Sequence, residues 1–392
     1  MAPMFLLTLI GCLLFTVYGA LIDYYRRAWS AIPTFMPSQA IIKTCKTRIS
    51  VLVPARNEAA NIADCIESLS HQSYPKDLYQ VIVIDDHSTD GTSEIVRNLS
   101  LPHLSLTCLH LAEEAAAQTV KAHKKFAIET GIRAATGELI VTTDADCHFH
   151  PDWLTTMAAF FEETGAKFIA APVRIGEAAF PKHRSFLAIF QTLDFITLQG
   201  ITGAAVHKKF HSMCNGANLA YEKKAFYEVG GFKGIDAIPS GDDMLLMYKI
   251  YSKYPGSIFF LKSRQAIVTT KPETSWGNFI NQRIRWASKA DQYDDKRIFW
   301  VLLLVYIVNA MFAAMAILAC WNVLWLWTLL IGLTVKTVVE YPFVNAVATF
   351  FGQRPLMIYY PFLQPFHILY TIVIGWLGKF GSYRWKDRKI SK

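Results

Sequence analysis

The chain is 392 residues long and 53% hydrophobic, and its mean hydropathy is positive. A single soluble core stops growing near roughly 250 to 300 residues, and the apolar excess lies at the two ends, which excludes one wholly soluble domain. The net charge is +8, but much of the basic charge flanks apolar segments, so a membrane surface accounts for it better than nucleic acid does.

Residues 1–22 carry no charge, and about 20 apolar residues are what a helix needs to cross a hydrocarbon core. The alternative, a cleaved signal peptide, wants a basic residue before the apolar run and a small-residue cleavage site, and neither is present. Residues 23–47, with Arg26, Arg27, Pro33 and Pro37, read as a linker. From 48 to 297 strand and helix patterns alternate, the signature of an α/β domain with a mostly parallel sheet. Strands are expected at 49–53, 81–84, 139–143 and 168–171, and helices at 61–70, 91–98, 124–135 and 152–163. The apolar stretch 186–203, which contains Asp194, fits either a helix on the membrane surface or a buried core helix.

Residues 298–378 form a C-terminal membrane region. Segments 298–320 and 321–335 predict a hairpin, the second extending to 339 if Lys336 snorkels. Segment 356–377 is interrupted by Pro361 and Pro365 and reads as re-entrant or interfacial. With the middle domain inside, four full spans would place the basic tail 379–392 outside, against the positive-inside tendency, so the last segment is expected not to cross fully. The seven cysteines are scattered and never spaced C-x-x-C, so they indicate neither a zinc site nor a disulfide framework and fit a reducing compartment.

In open sheets ligands bind beyond the carboxyl ends of the strands. The first strand ends in Val53-Pro54-Ala55-Arg56-Asn57-Glu58 and the second in Ile84-Asp85-Asp86-His87-Ser88-Thr89-Asp90-Gly91. Asp86 is the ligand candidate there, able to accept from a base N–H or a ribose hydroxyl, whereas Asp90 fits a cap of the following helix. No Gly-rich phosphate loop is present. Asp144 and Asp146, one residue apart after an apolar run, point the same way if strand geometry persists and can bind a hard dication, Mg²⁺ or Mn²⁺. Such an ion would neutralise charge on a departing diphosphate. Asp242 and Asp243 open a helix, where acids usually complement the dipole. A glycosyl acceptor hydroxyl must lose a proton, and Asp243, with Asp242 second, suits that general-base task. Gln282, Arg283, Ile284, Arg285 and Trp286 lie on a further helix, where the two arginines project to different sides.

The order of these motifs resembles glycosyltransferase family 2, with its GT-A fold, and in particular its membrane-bound branch related to cellulose, chitin and hyaluronan synthases. The resemblance covers about residues 48–286 and the membrane hairpin. It implies a Rossmann-like nucleotide-sugar domain between N- and C-terminal transmembrane helices. Pro54, Arg56, Glu58 and Asp86 would then bind the nucleotide, and Lys125 and Arg285 the diphosphate. Asp144 and Asp146 match the D-x-D metal motif, and Asp144 also contacts the donor. Asp242 and Asp243 stand where the base motif falls, and Gln282 and Trp286 in the acceptor site. Val268, Thr269 and Thr270 resemble a gating segment.

The reading that follows is an inverting, metal-dependent transfer from a nucleoside diphosphate sugar, with UDP the expected nucleotide, to a lipid or lipid-linked acceptor. It places a multi-pass protein in the inner (plasma) membrane with its catalytic domain cytoplasmic. Three or four spans are few for a polymer channel, which ranks a processive polysaccharide synthase second. A membrane-bound nucleotidyltransferase and a non-catalytic scaffold are the remaining alternatives.

Overall fold

The computed structural model describes residues 2–113, 122–176, 185–210, 213–236, 238, 241–288, 296–385 and 388–390. The elements begin with α1 (Ala2–Ala31), α2 (Gln39–Thr44), β1 (Ile49–Ala55), α3 (Ile62–Ser70), β2 (Tyr79–Asp85), α4 (Thr92–Asn98) and β3 (Ser105–His110). They continue with α5 (His123–Ala134), β4 (Leu139–Thr142), α6 (Trp153–Thr164), β5 (Phe168–Ala170), β6 (Val173–Ile175), α7 (Phe186–His207), β7 (Leu219–Glu222), α8 (Lys223–Glu228) and α9 (Asp242–Lys253). The last are β8 (Ile258–Phe260), β9 (Val268–Thr270), α10 (Trp276–Ala287), α11 (Lys296–Leu318), α12 (Val323–Phe350), α13 (Tyr360–Phe380), β10 (Tyr383–Trp385) and β11 (Arg388–Ile390). The chain divides into two compact units, one of 32–180 with 205–271 and the other of 1–31, 181–204 and 272–392.

The first unit is built on a seven-stranded sheet of order β3-β2-β1-β4-β7-β5-β8. The strands β3, β2, β1 and β4 run parallel, as the near-continuous apolar runs of β1, β2 and β4 predict. Val51, Leu52 and Val53 in β1 and Val81, Ile82, Val83 and Ile84 in β2 are all buried. The sheet is mixed rather than parallel throughout, because β7 pairs antiparallel with both β4 and β5. Strands β6 and β9 form a separate parallel pair. The register aligns Ala55 with Asp85 and Leu52 with Thr142, so that the residues following β1, β2 and β4 leave the sheet at one edge. The sheet edge bonds Asp86 N–H to Ala55 O (2.8 Å) and Thr143 N–H to Leu52 O (3.1 Å) extend that alignment into the loops.

The second unit is helical. By length and composition four helices among the described residues are apolar enough to cross a membrane: Leu9–Ala31, Phe186–His207, Lys296–Leu318 and Val323–Phe350. The expected hairpin is α11 and α12, with the Asn322 side chain capping α12 by accepting from Leu324 N–H at 2.9 Å. Several sequence expectations change here. Helix α1 runs on to Ala31, through part of the expected linker, and α12 continues through Pro342 to Phe350. Segment α13 is one helix despite its prolines, because Pro361 sits in the first turn, where its missing N–H has no intrahelical partner to lose.

Lys336 does not snorkel. It is 0% exposed and paired with Glu340 one turn on at 2.6 Å. It also donates to Gln364 Oε1 (2.7 Å), while Gln364 Nε2 and Tyr360 Oη each donate to Glu340 Oε2 at 2.6 Å and Tyr18 Oη donates to Glu340 Oε1. The network draws on α1, α12 and α13 and leaves neither charge unpaired, as burial requires.

Gly137, just before β4, has no room for a side chain: a Cβ there would lie 2.6 Å from both Ile49 C and Ser50 N of β1. The expected effect of Gly137→Ala is a loss of about 1–3 kcal/mol from overpacking against backbone that cannot move aside. At Gly165, where nothing lies within 4 Å, alanine meets only the strain of a left-handed φ. Thermal unfolding of the two variants side by side checks the difference, with Gly137→Ala the less stable.

Candidate active site

The loops after β1 and β2 are joined by side-chain to backbone bonds. Asn57 N–H donates to Ser88 Oγ (3.0 Å), Thr89 N–H to Asn57 Oδ1 (2.9 Å), Glu58 N–H to Thr92 Oγ1 (2.9 Å) and Ala59 N–H to Asp90 Oδ2 (2.9 Å). Asp90 also accepts from Thr92 N–H at 3.1 Å, the capping role that its position suggests. Both loops hold a non-glycine residue at positive φ, Asn57 at 51° and His87 at 58°, conformations that persist only where surrounding bonds enforce them.

Of the residues expected to bind the nucleotide, Pro54 lies in β1 and Arg56 bridges the loops, its Nη1 donating to Asp86 O at 2.7 Å and lying 3.9 Å from the Asp86 carboxylate. Asp86 is buried, with His87 Nδ1 at 2.9 Å and His123 Nδ1 at 3.6 Å from Oδ1. Glu58 accepts from Asn61 Nδ2 at 2.7 Å.

The carboxylates meet around Lys124. Its ammonium lies 2.8 Å from Asp144 Oδ1 and 3.8 Å from Asp242 Oδ2. Burial works against its charge, but Asp144 and Asp242 hold its pKa well above the ordinary lysine value. Gly216 makes the approach possible: a Cβ there would stand 3.2 Å from Lys124 Nζ, 3.5 Å from Asp242 Oδ2 and 3.9 Å from Asp243 Cβ. Asp243 follows in the first turn of α9, its Oδ1 accepting from Met244 N–H at 2.8 Å. Asp144 is the open member of the group, with 41% of its side chain exposed. Asp146 is more enclosed, and burial, reinforced by the charge of Asp144, raises its pKa against the opposing bond from Thr270 Oγ1 at 3.0 Å.

The structure gives the expected Lys125 and its neighbour Lys124 different partners. Lys125 is buried and donates to the carbonyls of Ile235 (2.6 Å) and Ile238 (2.8 Å), while Lys124 faces the carboxylates. The signal was present in the helical phase, since Lys125 shares the i, i+3, i+7 stripe with the buried Ile128 and Ile132 of α5. His123, Thr270 and Gly216 were also missed. Thr270 belongs to the segment expected to gate, and Val268, Thr269 and Thr270 are β9, paired with β6 and bridged to His148. Gln282, Arg285 and Trp286 lie on α10 in the helical unit. Gln282 Nε2 donates to Glu273 Oε1 at 2.9 Å, and Arg283 and Arg285 diverge as expected, the first buried and the second half-buried.

No group of three or more His, Cys, Asp or Glu side chains able to hold a metal occurs among the described residues. Two carboxylates, one open and one raised by its neighbour's charge, instead suit a hard dication that takes its remaining ligands from phosphate oxygens. Asp144 and Asp146 fit that role, with no protein cage around it.

The mixed sheet with carboxylates in the loops at one edge agrees with a GT-A nucleotide-sugar fold, and comparison with known proteins supports that fold. The model of glycosyl transferase family 2 matches residues 50–230, so the chain carries a domain of that glycosyltransferase family. A mannosyltransferase from Pyrobaculum calidifontis, solved in complex with GDP-Man and Mn²⁺, superposes with a TM-score of 0.60 at 21% identity over 91% of this chain and 98% of that one, which establishes the shared fold. The glycosyltransferase AglE of Haloferax volcanii is 32% identical over 35% of this chain and 44% of its own length. A beta-monoglucosyldiacylglycerol synthase of Nostoc is 33% identical over 30% of this chain and 25% of its own. The chain thus spans less than half the length of these two curated relatives.

The contrast between the two lysines is testable. Lys125→Met strands two buried carbonyls and is expected to cost about 2–4 kcal/mol of stability, read as a lower midpoint in thermal unfolding. An unchanged midpoint would mean that the Ile235 and Ile238 carbonyls do not depend on Lys125.

Proposed function

We propose that the protein moves a sugar from a nucleoside diphosphate donor, UDP being the expected nucleotide, to a hydroxyl of a lipid or lipid-linked acceptor, inverting the anomeric centre. The observation that carries this reading is the gathering of Asp144, Asp242 and Asp243 around Lys124 at one sheet edge. The acceptor oxygen bonds to the anomeric carbon while the bond from that carbon to the diphosphate oxygen breaks, its electron pair leaving with the nucleotide. The acceptor proton passes to a carboxylate, Asp243 in first place and Asp242 in second. Lys124 lies where charge builds on the leaving diphosphate and offsets it. Asp144 and Asp146 would hold Mg²⁺ or Mn²⁺, whose contribution is further neutralisation of the diphosphate. Asp86, with Arg56, Glu58 and Pro54 beside it, forms the nucleotide end.

The roles that the family resemblance gives to Arg285, Gln282 and Trp286 belong to the same proposal, as does a multi-pass protein in the plasma membrane working at its cytoplasmic face. The lipid acceptor is supported by four helices of membrane-crossing length and composition and by relatives such as the diacylglycerol-glycoside synthase.

The test is nucleoside diphosphate release from a panel of nucleotide sugars, with and without membrane lipid extract. Release that needs both donor and lipid, and stops in chelator, is expected. Pyrophosphate as the product would sink the reading in favour of nucleotidyl transfer, and a ladder of product sizes would point to polymerisation.

Asp243→Asn should lower turnover by about 100- to 10,000-fold with nucleotide affinity little changed. Full turnover in that variant moves the base to Asp242. Thr270→Val removes a hydrogen bond that favours the Asp146 carboxylate, and the Mn²⁺ concentration for half-maximal release should rise several-fold. An unchanged metal titration would remove Asp146 from the metal role.

A further inference from the structure

The helical unit contains a buried polar cluster that the proposed reaction does not use. The Arg283 guanidinium of α10 is 2% exposed and lies 3.0 Å, Nη2 to Oδ2, from Asp194 of α7, whose side chain is 8% exposed. The separation is that of an ion pair, yet the N–H groups are not directed at the carboxylate. Nε, Nη1 and Nη2 of Arg283 and Oδ2 of Asp194 all lack a hydrogen-bond partner. His367 of α13 approaches Asp194 Oδ1 to 4.0 Å through Nε2, and its Nδ1 has no partner either. Phe279 and Trp286 cover the guanidinium at 4.9 and 4.3 Å from its carbon to the ring centroids.

Leaving a buried donor or acceptor unmet costs about 1–3 kcal/mol, and more for a charged group. The same unit bonds Lys336 and Glu340 fully, whereas around Arg283 several charged-group atoms are bare at one place. We propose that Asp194, Arg283 and His367 recognise a hydroxyl-bearing lipid headgroup, an inference that rests on the lipid-acceptor reading above. The reason is the mixture of unmet groups. The guanidinium can only donate and the carboxylate can only accept, and a hydroxyl does both. A phosphate offers acceptors alone, would leave Asp194 Oδ2 bare and would meet its charge, while the Arg283 and Asp194 pair is already neutral. His367, with 34% of its side chain exposed, opens the cluster to the surface of the unit, and α7 and α13 are apolar helices suited to an acyl chain beside it.

The full chain in phosphatidylcholine nanodiscs, titrated with a glycosyl diacylglycerol, diacylglycerol or phosphatidic acid and read by native mass spectrometry, tests this. Removing one member of a buried ion pair threatens folding, but replacing both by apolar side chains is tolerated. The double variant Asp194→Leu with Arg283→Met therefore separates recognition from stability. The wild type is expected to bind a hydroxyl lipid in preference to phosphatidic acid, and the folded double variant to bind it about tenfold or more weakly.

Preference for the glycosyl lipid assigns a sugar hydroxyl as the ligand, and preference for diacylglycerol assigns the glycerol hydroxyl. Equal binding by wild type and double variant, preference for phosphatidic acid, or no binding of either hydroxyl lipid overturns the inference. If the double variant does not fold, Arg283→Lys decides, since it keeps the charge and loses the planar fork. A similar tenfold loss is expected, and unchanged binding counts against the site. Nucleoside diphosphate release by the same wild-type preparation keeps the two readings apart, because release without lipid discrimination leaves the transferase standing and removes only this site.

Discussion

Acidic side chains drawn together at one sheet edge repel one another, and Lys124 is what lets this one hold its shape. At about 4 Å two unit charges interact by roughly 4 kcal/mol in surroundings of intermediate polarity, so one ammonium between Asp144 and Asp242 alters the balance of the whole edge. Much else serves that contact. Parallel pairing of β1 with β4 brings Asp144 to the edge, the bare Cα of Gly216 leaves room for the ammonium, and Thr270 steadies the carboxylate left furthest from it.

The frame around that edge is stiff by construction. Asn57, Ser88 and Asp90 tie two loops to each other through backbone groups, and the left-handed residues Asn57 and His87 are held by those bonds. Backbone donors that would otherwise need water are met inside the loops. Near the sheet edge the acids outnumber the lysine among them, which suits a site awaiting cationic or donor-rich company, whereas Lys336 and Glu340 form a closed account with Gln364, Tyr18 and Tyr360.

The fold class could be read from the sequence because β1, β2 and β4 are apolar runs with acids directly after them, and a register between parallel strands carries those acids to one edge. Strand β3 was harder to see, since its exposed and half-buried residues form no continuous apolar run. The antiparallel direction of β7 depends on long-range pairing that local pattern does not encode. Within the site, Asp144, Asp146, Asp242 and Asp243 stood out by type and position. Lys124 did not, because adjacent lysines on a helix are told apart only by its phase against the core. Gly216 and Thr270 lie far along the chain from the acids they serve, and no local spacing announces either. Lys336 looked like a snorkelling residue because Gln364, to which it donates, comes from another helix, although its ion-pair partner Glu340 lies one turn on.

That last arrangement bears on how the chain enters a bilayer. Lys336 and Glu340 are made one turn apart on α12, but two of the side chains that complete their bonding, Tyr360 and Gln364, are synthesised later, on α13. Until α13 docks, the ion pair on α12 has bare lone pairs and N–H groups, an expensive state in apolar surroundings. The helical unit is therefore completed only when a helix made later in the chain packs against an earlier one, which ties the order of its assembly to the bonding of a single buried pair.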